Sequence, residues 1–172
     1  MTTNENITDE DLYDDEDTMK DRYLTFHLAG EDYGIEIEYV TEIIGIQKIT
    51  EVPDMPEYVK GVINLRGKVI PVMDVRQRFN LECRGYDERT CIIVVDIDGT
   101  PVGLVVDKVQ EVMDIPENDV EPPPKSSSAS GNQFVQGMGK VGEDVKIILN
   151  VKKLLFDQIE SLTENNENLD DS

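Results

Sequence analysis

The chain has 172 residues and a formal net charge of −21, a length that favours one domain or two small units sharing a core. The charge sits mainly at the ends: residues 1–21 hold nine acids against one lysine, residues 157–172 hold six acids and no base, and the middle keeps −7. This balance disfavours nucleic acid and anionic lipid as partners. No run approaches the roughly 20 apolar residues that span a bilayer, and no basic-then-apolar export pattern opens the chain, so a cytoplasmic protein without direct membrane insertion is expected.

In chain order, residues 1–21 read as an acidic disordered extension, too poor in apolar groups to offset the entropy of ordering. Alternating apolar and polar residues rich in Val, Ile, Tyr and Thr then dominate from Tyr23 to Val151, the period of half-buried strands. Strands are expected at 23–29 and 33–37 around a Gly30-Glu31-Asp32 turn, then at 40–50, 59–65 and 68–73, with Arg66-Gly67 turning between the last two. Residues 74–80 fit a short linking helix with an acidic start and basic later residues. The second set of strands is expected at 90–97, 101–107, 108–113, 134–141 and 145–150, with a tight Asp98-Gly99 hairpin. The stretch EPPPKSSSASGN at 121–132 reads as a surface loop. Asn150 caps a predicted helix over 151–162 with the apolar stripe Val151, Leu154, Leu155, Ile159 and Leu162, and 163–172 reads as a second acidic disordered tail.

These two sets of strands are copies of one unit. Residues 25–44 align without gaps on 94–113, pairing Gly30 with Gly99, Gly34 with Gly103, Val40 with Val109 and Glu42 with Glu111. Residues 58–75 align on 134–151, pairing Tyr58 with Phe134, Gly61 with Gly137, Gly67 with Gly142 and Asp74 with Asn150, with one extra residue placed after Gly142. Only the first copy carries the arginine, Arg66. The expected fold is mainly β: two packed five-stranded barrels made by internal duplication, with lobes near 22–80 and 89–151. Each half of roughly 60 residues is marginal alone and must pack on the other.

Catalytic inventory is thin. His27, the one histidine, has no second histidine or cysteine at ligand spacing. Cys83 and Cys91 lack CxxC spacing and are too few for a disulfide framework; Cys91, in CIIVV, reads as core. Asp96-Ile97-Asp98-Gly99 departs from a calcium loop, because its glycine comes early and the closing glutamate is absent, and it reads as a hairpin turn. Gly137-Met138-Gly139-Lys140 lacks phosphate-loop spacing, and its glycines read as devices for curvature or a bulge. No catalytic, cofactor or metal site is expected, which leaves a surface for protein partners.

The block GVINLRGKVIPV at 61–72, preceded by YGIEI at 33–37 and followed by GLVVD at 103–107, resembles the CheW family of bacterial chemotaxis coupling proteins over roughly residues 22–157. The resemblance implies two intertwined SH3-like barrels with a C-terminal helix. It implies a non-catalytic adaptor that joins cytoplasmic hairpin tips of methyl-accepting chemoreceptors to the regulatory domain of the histidine kinase CheA, with possible CheW–CheW contacts in membrane-associated arrays. An SH3-like peptide-binding scaffold in another signalling or surface-motility pathway is the alternative. By the same resemblance Val40, Glu42, Arg66 and Val112 are receptor-binding candidates. Arg66 offers a planar donor fork for carboxylates or carbonyls; the alternative is an intramolecular partner for Glu42 or another acid, and the two roles are compatible. Ile49, Val52 and Met55 are kinase-binding candidates that could equally close the bottom of the first barrel.

Overall fold

The computed structural model describes residues 19–82, 84–124 and 133–155. Eleven strands form two sheets: β1 (Arg22–Leu28), β2 (Glu31–Glu36), β3 (Val40–Gly45), β4 (Val59–Leu65), β5 (Lys68–Asp74), β6 (Cys91–Ile97), β7 (Thr100–Val106), β8 (Lys108–Asp114), β9 (Val120–Glu121), β10 (Val135–Val141) and β11 (Asp144–Leu149). One sheet has the order β3-β6-β7-β5-β4 and the other β8-β1-β2-β11-β10-β9.

The sheets cut across the sequence halves 22–80 and 89–151. Strands β3 to β5 take their partners β6 and β7 from the second copy, while β8 to β11 take β1 and β2 from the first. The exchange is symmetric down to the register. Val72 of β5 lies opposite Gly103 of β7 in parallel pairing, and Ile148 of β11 lies opposite Gly34 of β2 in the same way. Each copy therefore lends its first hairpin to the other, so neither sheet can form from one copy alone.

The core has three parts. Ile63, Ile70, Val72, Ile92, Val94 and Val105 fill the five-stranded body, and Tyr23, Ile115 and Ile148 fill the six-stranded one. Between them Leu24, Phe26, Leu28, Ile35, Ile93, Leu104 and Phe134 join a larger shared cluster. Fully burying a side chain of this size contributes about 1.5–3 kcal/mol, so the shared cluster is what holds the sheets together. Phe26, Tyr33, Phe79 and Phe134 stack in a chain with centroids 5.8, 5.7 and 5.8 Å apart. Arg78 of the single-turn helix Val75–Arg78 continues it, lying 4.4 Å from the centres of both Tyr58 and Phe134. These rings occupy equivalent positions in the two copies.

Hairpin chemistry explains the differences from the expected elements. The first turn is Ala29-Gly30, both with positive φ, so Glu31 and Asp32 belong to β2 and not to the turn. Strand β3 ends at Gly45, short of residue 50, and only Thr50 returns to pair with Val62. Its counterpart in the second copy is the two-residue β9, paired to β10, which makes the second sheet six-stranded. The β10–β11 turn corrects the alignment of the second repeat. Leu65 pairs with Lys68 and Val141 with Asp144, so Gly142 stands at the position of Arg66 and no residue is inserted.

The Asp98-Gly99 hairpin forms, with the Asp96 carboxylate accepting from Gly99 N at 2.9 Å. Gly137 and Gly139 lie in β10 where a Cβ would come 2.6 Å from Val120 Cγ1 and 3.1 Å from Ile115 Cδ1. Cys91 opens β6 and is half-buried, not fully in the core, with its thiol directed to the Arg89 carbonyl at 3.3 Å. Residues 151–155 are helical, and Asn150 Oδ1 accepts from Lys153 N at 3.0 Å as the expected cap. The rest of the 151–162 helix, the 163–172 tail and residues 1–18 lie outside the described residues. Of the acidic extension, Asp21 is tied in, its carbonyl accepting from Ile115 N at 2.8 Å.

Candidate functional site

A barrel built from an open sheet must close where its two edge strands meet. In the five-stranded sheet these edges are β3 and β4. Thr50, just after β3, exchanges two backbone hydrogen bonds with Val62 of β4 at 2.8 and 2.9 Å. Gln47 Nε2 donates to the Asn64 carbonyl at 3.4 Å. Above them, Arg66 at the β4–β5 turn forms an ion pair with Glu42 of β3.

Arg66 is set by its turn. Its φ of 53° and the 85° of Gly67 describe the mirror-image turn that matches strand twist. Asn64 Oδ1 accepts from Gly67 N at 2.8 Å and fixes it. Glu42 is set by a register shift in the β3–β6 ladder between Val40 and Glu42, where Thr41 Oγ1 donates to the Val94 carbonyl at 3.1 Å. The Arg66 side chain is 72% exposed and that of Glu42 29%. An ion pair this open contributes at most about 1 kcal/mol to the fold, so most of the guanidinium's donor capacity faces solvent.

The other receptor candidates are dispersed. Val40 is half-buried against the shared core. Val112 is 48% exposed on β8, an edge strand of the other sheet, opposite Leu24 of β1. The structure thus brings Glu42 and Arg66 together and shows no contact joining Val112 to them.

Among the kinase candidates, Ile49 packs against the five-stranded body's core, in line with the barrel-closing alternative. Val52 is 40% exposed and Met55 half-buried. Ile49 also lines an open pocket of about 310 Å³ with Glu51, Lys60, Arg84 and Tyr86. Tyr86 is held there by its hydroxyl, which donates to the buried Asp74 carboxylate at 2.8 Å. Neither Lys60 nor Tyr86 stands out in the sequence for this surface, because the inter-copy linker that carries Tyr86 is brought to it by tertiary contacts such as the bond to Asp74.

Elsewhere the charged side chains serve the scaffold. Arg76 grips Asp107 with two hydrogen bonds of 2.8 and 2.6 Å, and Ala29 N donates to the same carboxylate at 2.9 Å. Burial alone would raise the Asp107 pKa, but these donors outweigh it and hold the carboxyl below its ordinary value. His27 Nδ1 pairs with Asp32, whose other oxygen accepts from the buried Lys146 at 2.6 Å. Among the described residues, no group of three or more His, Cys, Asp or Glu side chains is placed to hold a metal ion.

Comparison with known proteins agrees with this architecture. Residues 22–158 match the family model of the CheW-like domain. A protein of Klebsiella aerogenes named chemotaxis protein CheW is 34% identical over 149 residues, spanning 87% of this chain and 90% of that one. The Bacillus subtilis protein of the same name is 36% identical over 120 residues, 67% of this chain and 77% of its own. The crystal structure of the scaffolding protein TtCheW from Thermoanaerobacter tengcongensis superposes with a TM-score of 0.73 at 41% identity, covering 78% of this chain and 92% of that one.

Proposed function

Because the chain belongs to the CheW-like domain family, we propose that it is a non-catalytic chemotaxis adaptor that couples methyl-accepting receptors to the CheA kinase and supports receptor–kinase array assembly. The observation that carries this reading is the family match across residues 22–158, which takes in the whole exchanged double barrel. Recruitment to membrane-associated arrays then comes through protein partners; among the described residues no helix is long and apolar enough to cross a membrane.

Receptor docking is assigned to the seam carrying Glu42 and Arg66, with Val40 beside Glu42 on β3 and Val112 as a separate apolar contact on β8. A guanidinium fork held at an exposed turn suits carboxylates or carbonyls on a helical hairpin, and a receptor acid engages it by sharing or displacing Glu42. Kinase docking is assigned to the surface of Ile49, Val52 and Met55, where Ile49 lies beside Lys60 and Tyr86. An apolar patch with a polar rim is the usual anatomy of a contact that must stay soluble when free.

Titration of the full chain with the CheA regulatory domain and, separately, with a receptor cytoplasmic hairpin tests the reading. Both are expected to bind near micromolar Kd, about −8 kcal/mol. Arg66→Glu is expected to weaken the receptor at least about tenfold, the effect of losing a charge-assisted pair, while leaving the kinase nearly unchanged. Failure of the wild-type protein to bind either partner would remove the adaptor reading.

A further inference from the structure

Among the described residues, four antiparallel strand pairs close through two-residue turns, at 29–30, 66–67, 98–99 and 142–143. In three of them the first residue is not glycine. Ala29, Arg66 and Asp98 hold φ of 51°, 53° and 52°, each followed by a glycine, whereas the last turn opens on Gly142. Glycine enters the left-handed region freely and a residue with a Cβ does not, so three turns need support that the fourth does not. A side-chain oxygen supplies it each time. Asp107 accepts from Ala29 N at 2.9 Å, Asn64 Oδ1 from Gly67 N at 2.8 Å and Asp96 Oδ1 from Gly99 N at 2.9 Å. At the position of Asn64 the second copy has Lys140, which pairs with Glu121 instead.

Only the Arg66 turn lies on the Glu42–Arg66 seam, and there Asn64 makes a second tie. Its backbone carbonyl accepts from Gln47 Nε2 at 3.4 Å, between β4 and the segment that follows β3. Asn64 is exposed, so water can take over its bond to Gly67 at little cost to the fold. Water cannot take over its direction. With Gly67 held, Arg66 keeps the left-handed conformation that aims its guanidinium at Glu42. With Gly67 released, the freedom of that glycine lets the turn rearrange and the arginine return to negative φ.

We propose that Asn64 is a positioning residue for recognition, acting through Arg66: its amide oxygen holds the β4–β5 turn in the form that presents the guanidinium to a carboxylate or carbonyl of a helical partner. This rests on the assignment of receptor docking to the Arg66 seam. The second copy fits the same division of work, since it lacks the amide where it also lacks the arginine that the amide orients.

The test is titration of the full chain with the receptor cytoplasmic hairpin and with the CheA regulatory domain, beside NMR amide exchange of the free protein. Asn64→Ala is expected to weaken receptor binding about fivefold, the effect of one hydrogen bond, to leave kinase binding within about twofold, and to add nothing to the loss caused by Arg66→Ala. Gly67 exchange is expected to quicken about fivefold in Asn64→Ala. It should stay near wild type in Asn64→Asp, which keeps an acceptor of the kind Asp96 supplies to Gly99. A wild-type chain that binds no receptor while Asn64→Ala still frees Gly67 would sink the adaptor reading and leave the clamp on Arg66 standing. Unchanged Gly67 exchange in Asn64→Ala, receptor binding by that variant at the wild-type level, or an equal further loss in the Arg66→Ala background would each overturn the proposal.

Discussion

The β4–β5 and β10–β11 turns are the same turn in two copies, and they differ at one decisive residue. Arg66 and Gly142 both take the first turn position with positive φ, 53° and 62°. Glycine adopts this conformation freely, whereas an arginine there costs about 1–2 kcal/mol. The first copy accepts that strain and gains an exposed guanidinium over Glu42; the second puts a glycine at the turn, and Met113, Val120 and Val141 of its strands pack on Tyr23, Ile115 and Ile148. A duplicated scaffold has thus kept its backbone in both halves while placing recognition chemistry in one. Buried positions diverge too: Ile70 in one copy is matched by Lys146 in the other, with 3% and 7% exposure.

The largest expected effect tests the shared backbone. A Cβ on Gly61 would lie 2.1 Å from the Thr50 carbonyl oxygen at φ 148°, whereas on Gly137 its nearest neighbour is a side-chain methyl of Val120 at 2.6 Å. Gly61→Ala is therefore expected to cost about 3–5 kcal/mol, and Gly137→Ala clearly less. Urea unfolding of both variants checks this, and equal losses would mean that the two seams are built alike.

Arg78 tests the coupling between copies. Its guanidinium lies between Tyr58 and Phe134 and donates to the Leu154 carbonyl at 3.1 Å. Arg78→Ala is expected to lower stability by about 2–3 kcal/mol through lost stacking and packing, and Arg78→Lys is expected to restore less than half of it. Full rescue by lysine in thermal unfolding would show that charge alone matters there.

A smaller effect separates the buried lysine from its isoleucine counterpart. The Lys146 hydrogen bond is the main cause holding the Asp32 carboxyl below its ordinary value, although burial opposes it. An acid depressed in the folded state binds protons more readily in the unfolded chain. Its stabilisation is therefore complete above about pH 4 and is lost as pH falls through the folded value. Lys146→Ile, which copies the first repeat, is expected to flatten the acid limb of stability against pH. An unchanged acid limb would remove Asp32 as a contributor.

The smallest effect expected is on the fold at Arg66. Arg66→Gly copies the second turn and exchanges relief of strain for a lost surface ion pair, so stability should stay within about 1 kcal/mol. A larger loss in urea unfolding would make Arg66 a structural residue of the seam.

Much of this comparison was legible in the sequence because period-2 patterns and turn chemistry are local. The run Val59–Leu65 was read with its observed bounds, and Asp98-Gly99 turned as expected. Exchange of the first hairpins between copies was not readable from pattern alone, since alternation reports which face of a strand is buried and not which sheet it joins. It entered only with the family resemblance. Matching glycine to glycine misplaced Gly142 against Gly67, because the physical requirement was positive φ at the first turn position, which Arg66 also meets. At the candidate site, Glu42 and Arg66 enter through the family resemblance, and their ion pair is the alternative reading of Arg66. The place of Tyr86 beside Ile49 and Lys60 is not legible in the sequence, since segments distant along the chain assemble that surface. The two-residue β9 is too short to carry any periodic signal.

The most direct measurement of the central claim is titration of the charge-swapped variant Glu42→Arg/Arg66→Glu with the receptor hairpin and with the CheA regulatory domain. The swap preserves the ion pair across the seam but inverts the charge offered at the turn. Unfolding stability within about 0.5 kcal/mol of wild type, kinase binding retained and receptor binding lost is the result predicted for a recognition arginine. Receptor binding restored to the wild-type level would contradict it and reduce the pair to a clasp on the barrel.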